Sequence, residues 1–187
     1  MEYSKPIQML VDEHQVIGSV LDAVEQVARE DNSRHVVPRE FYEKAIDFFS
    51  TFADKCHHAK EEDLLFPALE ARGIPREYGP IGCMLHEHEE GRGHVAAARN
   101  ALPAAAEGDA QARRTLEREM LAYVELLRQH IQKENEVLFI MGDQRMTQQD
   151  KDRLWKQFQC SEHGPLPAGS HEKYVALAEE LSAKAHA

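Results

Sequence analysis

Two segments of the sequence carry the same spacing of histidine and glutamate, residue types that can bind metal ions. The segment HHAKEEDLLF begins at His57 and the segment HIQKENEVLF begins at His130, and Glu61 and Glu134 follow four residues later. Side chains at positions i and i+4 share one face of a helix, one turn apart. In both segments these polar residues lead directly into an apolar run, so the repeat predicts a buried site of imidazole and carboxylate groups.

A second pair of segments repeats with nearly the same offset. MLVDEHQ contains His14 and CMLHEHE contains His88, and a glutamate precedes each of these histidines. The offset is 74 residues from His14 to His88 and 73 residues from His57 to His130. Each half of the chain therefore supplies one histidine from a first helix and a His-xxx-Glu pair from a second.

Burying four imidazoles and two carboxylates together is costly unless they have partners. A metal ion removes this cost, because it binds neutral histidine and ionised carboxylate. Six candidate ligands point to two metal ions at one level of the core, where each carboxylate can bridge. The mixed donors suit iron, zinc, manganese or copper, whereas a single structural zinc needs only four ligands and usually includes cysteine.

A solvated helix face is the alternative interpretation of any single His-xxx-Glu pair. The repetition argues against it, because both pairs stand in register with a Glu-His pair on another predicted helix. Glu13 and Glu87, which directly precede His14 and His88, are expected to point away from the site and to form salt bridges. Glu62 is expected at the surface or behind the ligands.

The elements that must position these residues are all predicted to be helices, because apolar residues recur with a period near 3.6. Four long helices are expected, from about Pro6 to Arg29, Arg39 to Ala71, Ile81 to Leu102 and Asp109 to Met141. Pro103 should end the third helix and Gly142 the fourth. The fold class is therefore all-α, an up-down-up-down four-helix bundle with a short helical C-terminal extension.

The fourth helix has the most regular pattern, in which His130 and Glu134 interrupt an apolar stripe. The stripe is Leu116, Met120, Tyr123, Leu127, His130, Glu134, Val137 and Met141. Residues 1–145 are expected to form the bundle. Residues 146–187 should form the extension, with one helix from Thr147 to about Phe158, a second helix capped by Ser170, and packing against the bundle.

Composition excludes several classes of partner. The 187-residue chain has a net charge of −11 and no basic patch, so nucleic acid is not an expected partner. No apolar run approaches the ~20 residues needed to span a bilayer, so no membrane association is expected. The three cysteines have no CxxC spacing, and the N-terminus lacks the pattern of a signal peptide. The expected location is the cytoplasm.

The four segments together resemble the hemerythrin-like family, also called the HHE cation-binding domain. The matching stretches are DEH (12–14), HHAKEEDLLFP (57–67), MLHEHEEGR (84–92) and HIQKENEVLF (130–139). The resemblance implies a non-haem centre of two iron ions in a four-helix bundle, in preference to zinc or manganese. Such centres bind dioxygen, or sense oxygen, iron or oxidants.

The resemblance also implies how the ligands divide. His14 and His57 should hold one iron, and His88 and His130 the other. Glu61 and Glu134 should bridge both irons, together with an oxo or hydroxo group. Five ligands at each iron would leave one position open for dioxygen or peroxide.

One departure from the family pattern lies on the third helix. Oxygen-carrying members have His-xxx-His there, and this chain has Met84 four residues before His88. His58, next to His57, could lean toward the second iron, and it is held as a seventh candidate ligand; the alternative is an exposed or supporting histidine. The missing histidine argues against classical reversible oxygen transport.

Three functions follow as hypotheses. The first is a di-iron protein that binds or senses dioxygen or another small oxidant, such as peroxide or nitric oxide. The second is a di-iron enzyme of peroxidase or catalase type. The third is a regulatory module in which the metal stabilises a fold that binds a protein partner. A homo-oligomer is also left open.

Overall fold

The structure, a computed structural model, describes residues 3–34, 37–161 and 169–185. Every regular element within these ranges is helical, which confirms the all-α prediction. Parts of two predicted connections, residues 35–36 and 162–168, lie outside the described residues, as does the side chain predicted to cap the last helix. The helices are α1 (Lys5–Arg34), α2 (Arg39–Phe48), α3 (Phe66–Glu70), α4 (Pro80–Ala106), α5 (Ala110–Lys133), α6 (Phe139–Arg145), α7 (Gln148–Ser161) and α8 (Ser170–Ala185).

Wide π-helical turns join some of these helices into longer runs. α2 continues through the π-helical segments Phe49–His58 and Glu61–Leu65 into α3, and α5 continues through Glu134–Leu138 into α6. The last two π-helical segments occupy equivalent positions in the repeat, and each begins at a candidate ligand. Such wide turns occur frequently at functional sites.

The apolar core consists of two clusters of buried residues with the candidate site between them. Along α1, Leu10 belongs to one cluster and Ile17 to the other, and His14 lies between them on the same stripe. Along α5 and its continuation, Leu127 and Leu138 divide in the same way around the site. The polar residues therefore form a layer that interrupts one continuous apolar interior.

Packing between helices places the two halves of the repeat side by side. α4 lies along α5, α1 contacts α5, and α2 contacts α4. The N-terminus of α5 is closed by Asp109, whose side chain accepts a hydrogen bond from the backbone N–H of Ala112. α7 begins after Thr147, close to the predicted start, and the Thr147 hydroxyl accepts a hydrogen bond from the Asp150 N–H.

The last helix, α8, lies against α1 and α2. Leu181 is fully buried, and the Tyr174 hydroxyl donates a hydrogen bond to Asp47 over 2.9 Å. The Ser182 hydroxyl reaches the Ser19 carbonyl at 3.4 Å. Within the described ranges, no helix combines the length and the apolar content needed to cross a membrane.

Three predicted helix ends were wrong. α1 continues to Arg34 instead of ending near Arg29. Pro103 lies inside α4, which continues to Ala106; a proline near a helix C-terminus removes only one backbone hydrogen bond. Gly142 lies within α6 and does not end it. The glycine faces Leu69, and a Cβ atom there would come within 2.8 Å of that side chain, so close packing accounts for the glycine.

Candidate metal centre

All seven predicted ligands are buried in the polar layer, each with at most 4 % of its surface exposed. The structure brings them together in two groups, and the potential ligand atoms within each group lie within 4.8 Å of one another. We call them the His14 position, which consists of His14, His57, Glu61 and Glu134, and the His88 position, which consists of His58, Glu61, His88 and His130. Glu61 belongs to both.

In each position, two histidines face each other through their Nε2 atoms. The distance between these atoms is 2.9 Å for His14 and His57, and 3.1 Å for His88 and His130. The opposite nitrogen of each ring, Nδ1, lies within hydrogen-bond distance of a side-chain oxygen. These oxygens belong to Asn135 (2.9 Å from His14), Glu13 (2.8 Å from His57), Glu62 (2.7 Å from His88) and Glu87 (3.0 Å from His130).

This arrangement determines which ring nitrogen carries the proton. An acceptor at Nδ1 selects the tautomer with hydrogen on Nδ1, which leaves the Nε2 lone pair facing the centre. Two such lone pairs at about 3 Å repel each other unless a positive charge lies near both. The imidazoles therefore have the orientation that metal ligands need.

The two candidate bridging carboxylates lie between histidines of the two positions. Glu61 has one oxygen 3.5 Å from Nε2 of His57 and the other 3.5 Å from Nε2 of His88. Glu134 has one oxygen 3.2 Å from Nε2 of His14 and 3.3 Å from Nε2 of His130. None of the four oxygens makes a well-formed hydrogen bond with the described residues.

Buried carboxylates without hydrogen bonds are costly, so this pair needs a cationic partner. The site holds buried histidine and glutamate groups of suitable type and spacing, and these groups are able to hold metal ions. The donor set, five imidazoles and two carboxylates without cysteine, fits metal ions of intermediate hardness.

His58 lies in the His88 position, where its ring stacks on that of His88 at 3.8 Å between centroids and 16° between planes. Neither of its ring nitrogens makes a hydrogen bond with the described residues. Its Nδ1 lies 3.7 Å from an oxygen of Asp54. Met84, which replaces the histidine of the family pattern, packs in one of the two apolar clusters.

The electrostatics of the metal-free site follow from burial and from neighbouring charges. Burial, and then the Glu134 carboxylate, raise the pKa of Glu61 well above its usual range. Burial and the adjacent His88 lower the pKa of His58 well below its usual range, so this ring is neutral. Burial also lowers the pKa of His57, to about 4. Burial opposes the charge on His130, but Glu134 and Glu87 raise its pKa to about 9.

Glu13 and Glu87 form salt bridges, as predicted, but the prediction that they point away from the site was wrong. Glu13 is almost fully buried, where it accepts from His57 and pairs with the buried Lys60. Glu87 makes the equivalent contacts with His130 and Lys133. Burial alone would raise the pKa of Glu13, but the hydrogen bond from His57 and the charge of Lys60 lower it to about 2.

These two Lys–Glu–His chains occupy equivalent positions in the internal repeat. The repeat was therefore the sequence signal that could have predicted them. Lys60 and Lys133 occupy equivalent positions in the two His-xx-Lys-Glu segments. A glutamate also precedes the histidine of each first helix. Glu62 was expected at the surface or behind the ligands, and it lies behind His88. Asn135, which follows Glu134, supports His14 and was not predicted.

A cavity of about 360 Å³ lies next to the His88 position. The rings of His58 and His88 form part of its lining, together with Asp54, Arg92 and Tyr123. The Tyr123 side chain is buried, and burial raises the pKa of its hydroxyl. The cavity therefore reaches two imidazoles of the polar layer, those of His58 and His88.

Comparison with known proteins agrees with this geometry. A family model described as the hemerythrin HHE cation binding domain matches residues 5–141. Comparisons with curated proteins and with solved structures gave no match. The matched segment covers well over half of the chain and includes all seven candidate ligands. The chain therefore belongs to the family of hemerythrin HHE cation-binding domains.

Proposed function

We propose that this protein holds two iron ions in its polar layer and binds or senses a small oxidant, such as dioxygen, peroxide or nitric oxide. The observation that carries the proposal is the placement of Glu61 and Glu134. Each carboxylate lies between histidines of both positions, and neither makes a well-formed hydrogen bond with the described residues. Two cations held side by side account for this arrangement better than one.

The division of ligands follows the two groups. His14 and His57 would hold one ion, and His58, His88 and His130 would hold the other. Glu61 and Glu134 lie between the two positions and would contact both ions. The His14 position would then have one imidazole fewer than the His88 position.

Iron is proposed over zinc because of the donors. Cysteine, which structural zinc sites usually include, is absent from both groups. Imidazole with carboxylate is a donor set typical of non-haem iron. When bound, an iron pair would supply an open coordination position and the ability to change oxidation state.

The chain itself would contribute orientation and seclusion. Hydrogen bonds at Nδ1 fix the rings of His14, His57, His88 and His130, and the two apolar clusters keep bulk water from the layer. The cavity beside His58 offers small molecules an approach from one side. Around this site we propose an up-down-up-down arrangement of the four long helical runs in residues 1–145, with residues 146–187 as an extension packed on it.

The test is metal analysis of the purified protein together with its ultraviolet–visible spectrum. We expect about two irons per chain and near-ultraviolet absorption of a bridged ferric pair. His130→Ala and Glu61→Ala should each lose metal. His94→Ala is the matched control, since His94 also pairs with a glutamate, Glu119 at 2.7 Å, but lies outside the polar layer. Retention of both irons after either ligand substitution would overturn the assignment.

Turnover of peroxide is the second candidate function, and the cavity that reaches His58 and His88 favours it. A site that only senses an oxidant needs few encounters, whereas an enzyme needs repeated entry and exit. The two separate when peroxide is added to the iron-loaded protein and released oxygen is measured. Release over many turnovers would identify an enzyme, and a single stoichiometric spectral change would identify a binding or sensing protein.

A further inference from the structure

The internal repeat is broken at one contiguous patch of the site. Most residues of the polar layer have an equivalent of similar chemistry in the other half of the chain. Four residues around the His88 position do not. Asp54, His58, Glu62 and Arg92 correspond, by the same offsets of 73 or 74, to Leu127, Ile131, Asn135 and Gly18.

Arg92 connects this patch. Its Nε donates to Asp54 over 2.8 Å, and one of its terminal nitrogens donates to Glu62 over 2.7 Å. The same Glu62 oxygen accepts from Nδ1 of His88 over 2.7 Å. Asp54 lies 3.7 Å from Nδ1 of His58. One guanidinium therefore holds both carboxylates that lie behind the stacked rings of His58 and His88.

A guanidinium suits this task because its donors form a rigid planar fork. One Glu62 oxygen lies 2.7 Å from both a terminal nitrogen of Arg92 and Nδ1 of His88, so the guanidinium holds this carboxylate behind the ring. A charged acceptor at Nδ1 orients a ligating imidazole and makes its Nε2 more basic. At the His14 position the equivalent acceptor is the neutral Asn135, and Gly18 has no side chain to fix it.

We propose that Arg92, Asp54 and Glu62 form a clamp that positions His58 and His88, so that the His88 position binds its metal ion first and more tightly than the His14 position. The inference rests on the proposed two-metal function and adds an order of loading to it. Arg92 is a positioning residue, since it touches the supporting carboxylates and no candidate ligand. It is half-buried, so its removal should leave the fold intact.

The test is a titration of the metal-free full-length chain with Zn²⁺, a redox-inert probe, in competition with a coloured chelator. The wild type should show two binding events whose dissociation constants differ tenfold or more. Arg92→Ala should weaken the first event by about 10–100-fold and leave the second within about threefold. Arg92→Lys, which restores the charge without the fork, should recover part of the loss. His14→Ala should remove the second event and spare the first.

Arg128→Ala is the matched control. Arg128 also bridges two carboxylates, Asp22 and Glu25, but these lie outside the polar layer. Its loss should lower thermal stability about as much as the loss of Arg92 and leave both dissociation constants unchanged. This comparison separates positioning from a general loss of stability.

The outcomes are distinct. Two wild-type events of equal affinity would overturn the clamp, and so would an Arg92→Ala variant that weakens both events alike or neither. A wild type that binds only one ion would refute the two-metal function instead. The clamp would then be judged on that single event, which Arg92→Ala must still weaken tenfold while Arg128→Ala does not.

Discussion

The Nε2 atoms of His88 and His130 lie 3.1 Å apart, although the Nδ1 atom of each ring already faces a carboxylate oxygen. Two neutral rings in this orientation repel each other, and a proton or a metal ion between them relieves the repulsion. In the metal-free chain, Glu134 and Glu87 raise the pKa of His130 to about 9, which shows that the site favours a positive charge there. The site therefore costs stability until a cation fills it.

Metal removal should accordingly destabilise the protein. A ligand that binds only the folded chain stabilises it by about 4 kcal/mol when present at 1,000 times its dissociation constant. We expect chelation to lower the free energy of unfolding by about this amount or more, measured by urea denaturation of one preparation before and after treatment. His130→Ala should lose less stability on chelation than the wild type, because it removes a ligand from the His88 position. Equal stability of the chelated and the loaded wild type would contradict the prediction.

Glu61→Gln should separate metal binding from stability. In the metal-free chain the pKa of Glu61 is raised well above 4.5 by burial and by Glu134. A raised folded-state pKa gives stability that is present below the unfolded pKa and is lost as pH rises toward the folded pKa. Glutamine does not ionise, so the metal-free variant should lack this loss.

The expected gain of the metal-free Glu61→Gln variant over the metal-free wild type is about 1–3 kcal/mol at pH 8, and it should shrink toward pH 5. The same variant should fail to hold two metals. Urea denaturation of both chelated proteins across this pH range measures the gain. A constant difference between them at all pH values would show that Glu61 does not titrate as its surroundings predict.

The two Lys–Glu–His chains offer a matched pair of substitutions. Lys60 is 4 % exposed and pairs with the buried Glu13, whereas the Lys133 side chain is 41 % exposed. Lys60→Met leaves a buried carboxylate without its cation and should cost about 3–5 kcal/mol. Lys133→Met breaks a pair whose lysine is largely solvated, so it should cost about 0–1 kcal/mol. Urea denaturation of the loaded proteins measures both, and equal costs would refute the difference in burial.

The sequence repeat predicted which residues meet, because a duplicated pattern constrains two halves at once. Six of the seven predicted ligands come from the repeat, and His58, which has no equivalent in the other half, was added as the neighbour of His57; all seven lie in the polar layer. The supporting residues were harder to find, because Glu13 and Glu87 lie next to ligands and a helix turns about 100° between neighbours. Both glutamates contact a histidine of a neighbouring helix. The periodicity of a single helix does not predict such a contact.

The predicted apolar stripe of the fourth helix failed beyond Glu134 for a definite reason. Val137 was expected in the core and is 54 % exposed, while its neighbour Leu138 is buried. The π-helical segment Glu134–Leu138 accommodates an extra residue in its wide turn and shifts the buried face by one residue. The 3.6-residue period used for the prediction does not contain this shift, and the sequence shows no separate signal for it.

Gly142 was taken for a helix end because glycine commonly follows the last turn of a helix, and its actual surroundings yield a further test. A Cβ atom at Gly142 would lie 2.8 Å from the buried Leu69 side chain, and a Cβ atom at Gly18 would meet nothing within 4 Å. Gly142→Ala should destabilise the protein, since overpacking costs about 1–3 kcal/mol. Gly18→Ala should stabilise it by about 0.5–1 kcal/mol. Thermal denaturation measures both changes, and a stabilising Gly142→Ala would contradict the close contact.

The last helix provides a test of whether residues 146–187 fold together with the rest of the chain. Leu181 of α8 is fully buried in the same apolar cluster as Ile17 and Leu21 of α1. Leu181→Ala should therefore cost about 2–5 kcal/mol and shift one common unfolding transition. Glu180→Ala, on the exposed face of the same helix, should change the free energy of unfolding by less than about 0.5 kcal/mol. If α8 were only loosely attached, Leu181→Ala would leave the main transition in place, and the helical signal of α8 would be lost separately at lower denaturant.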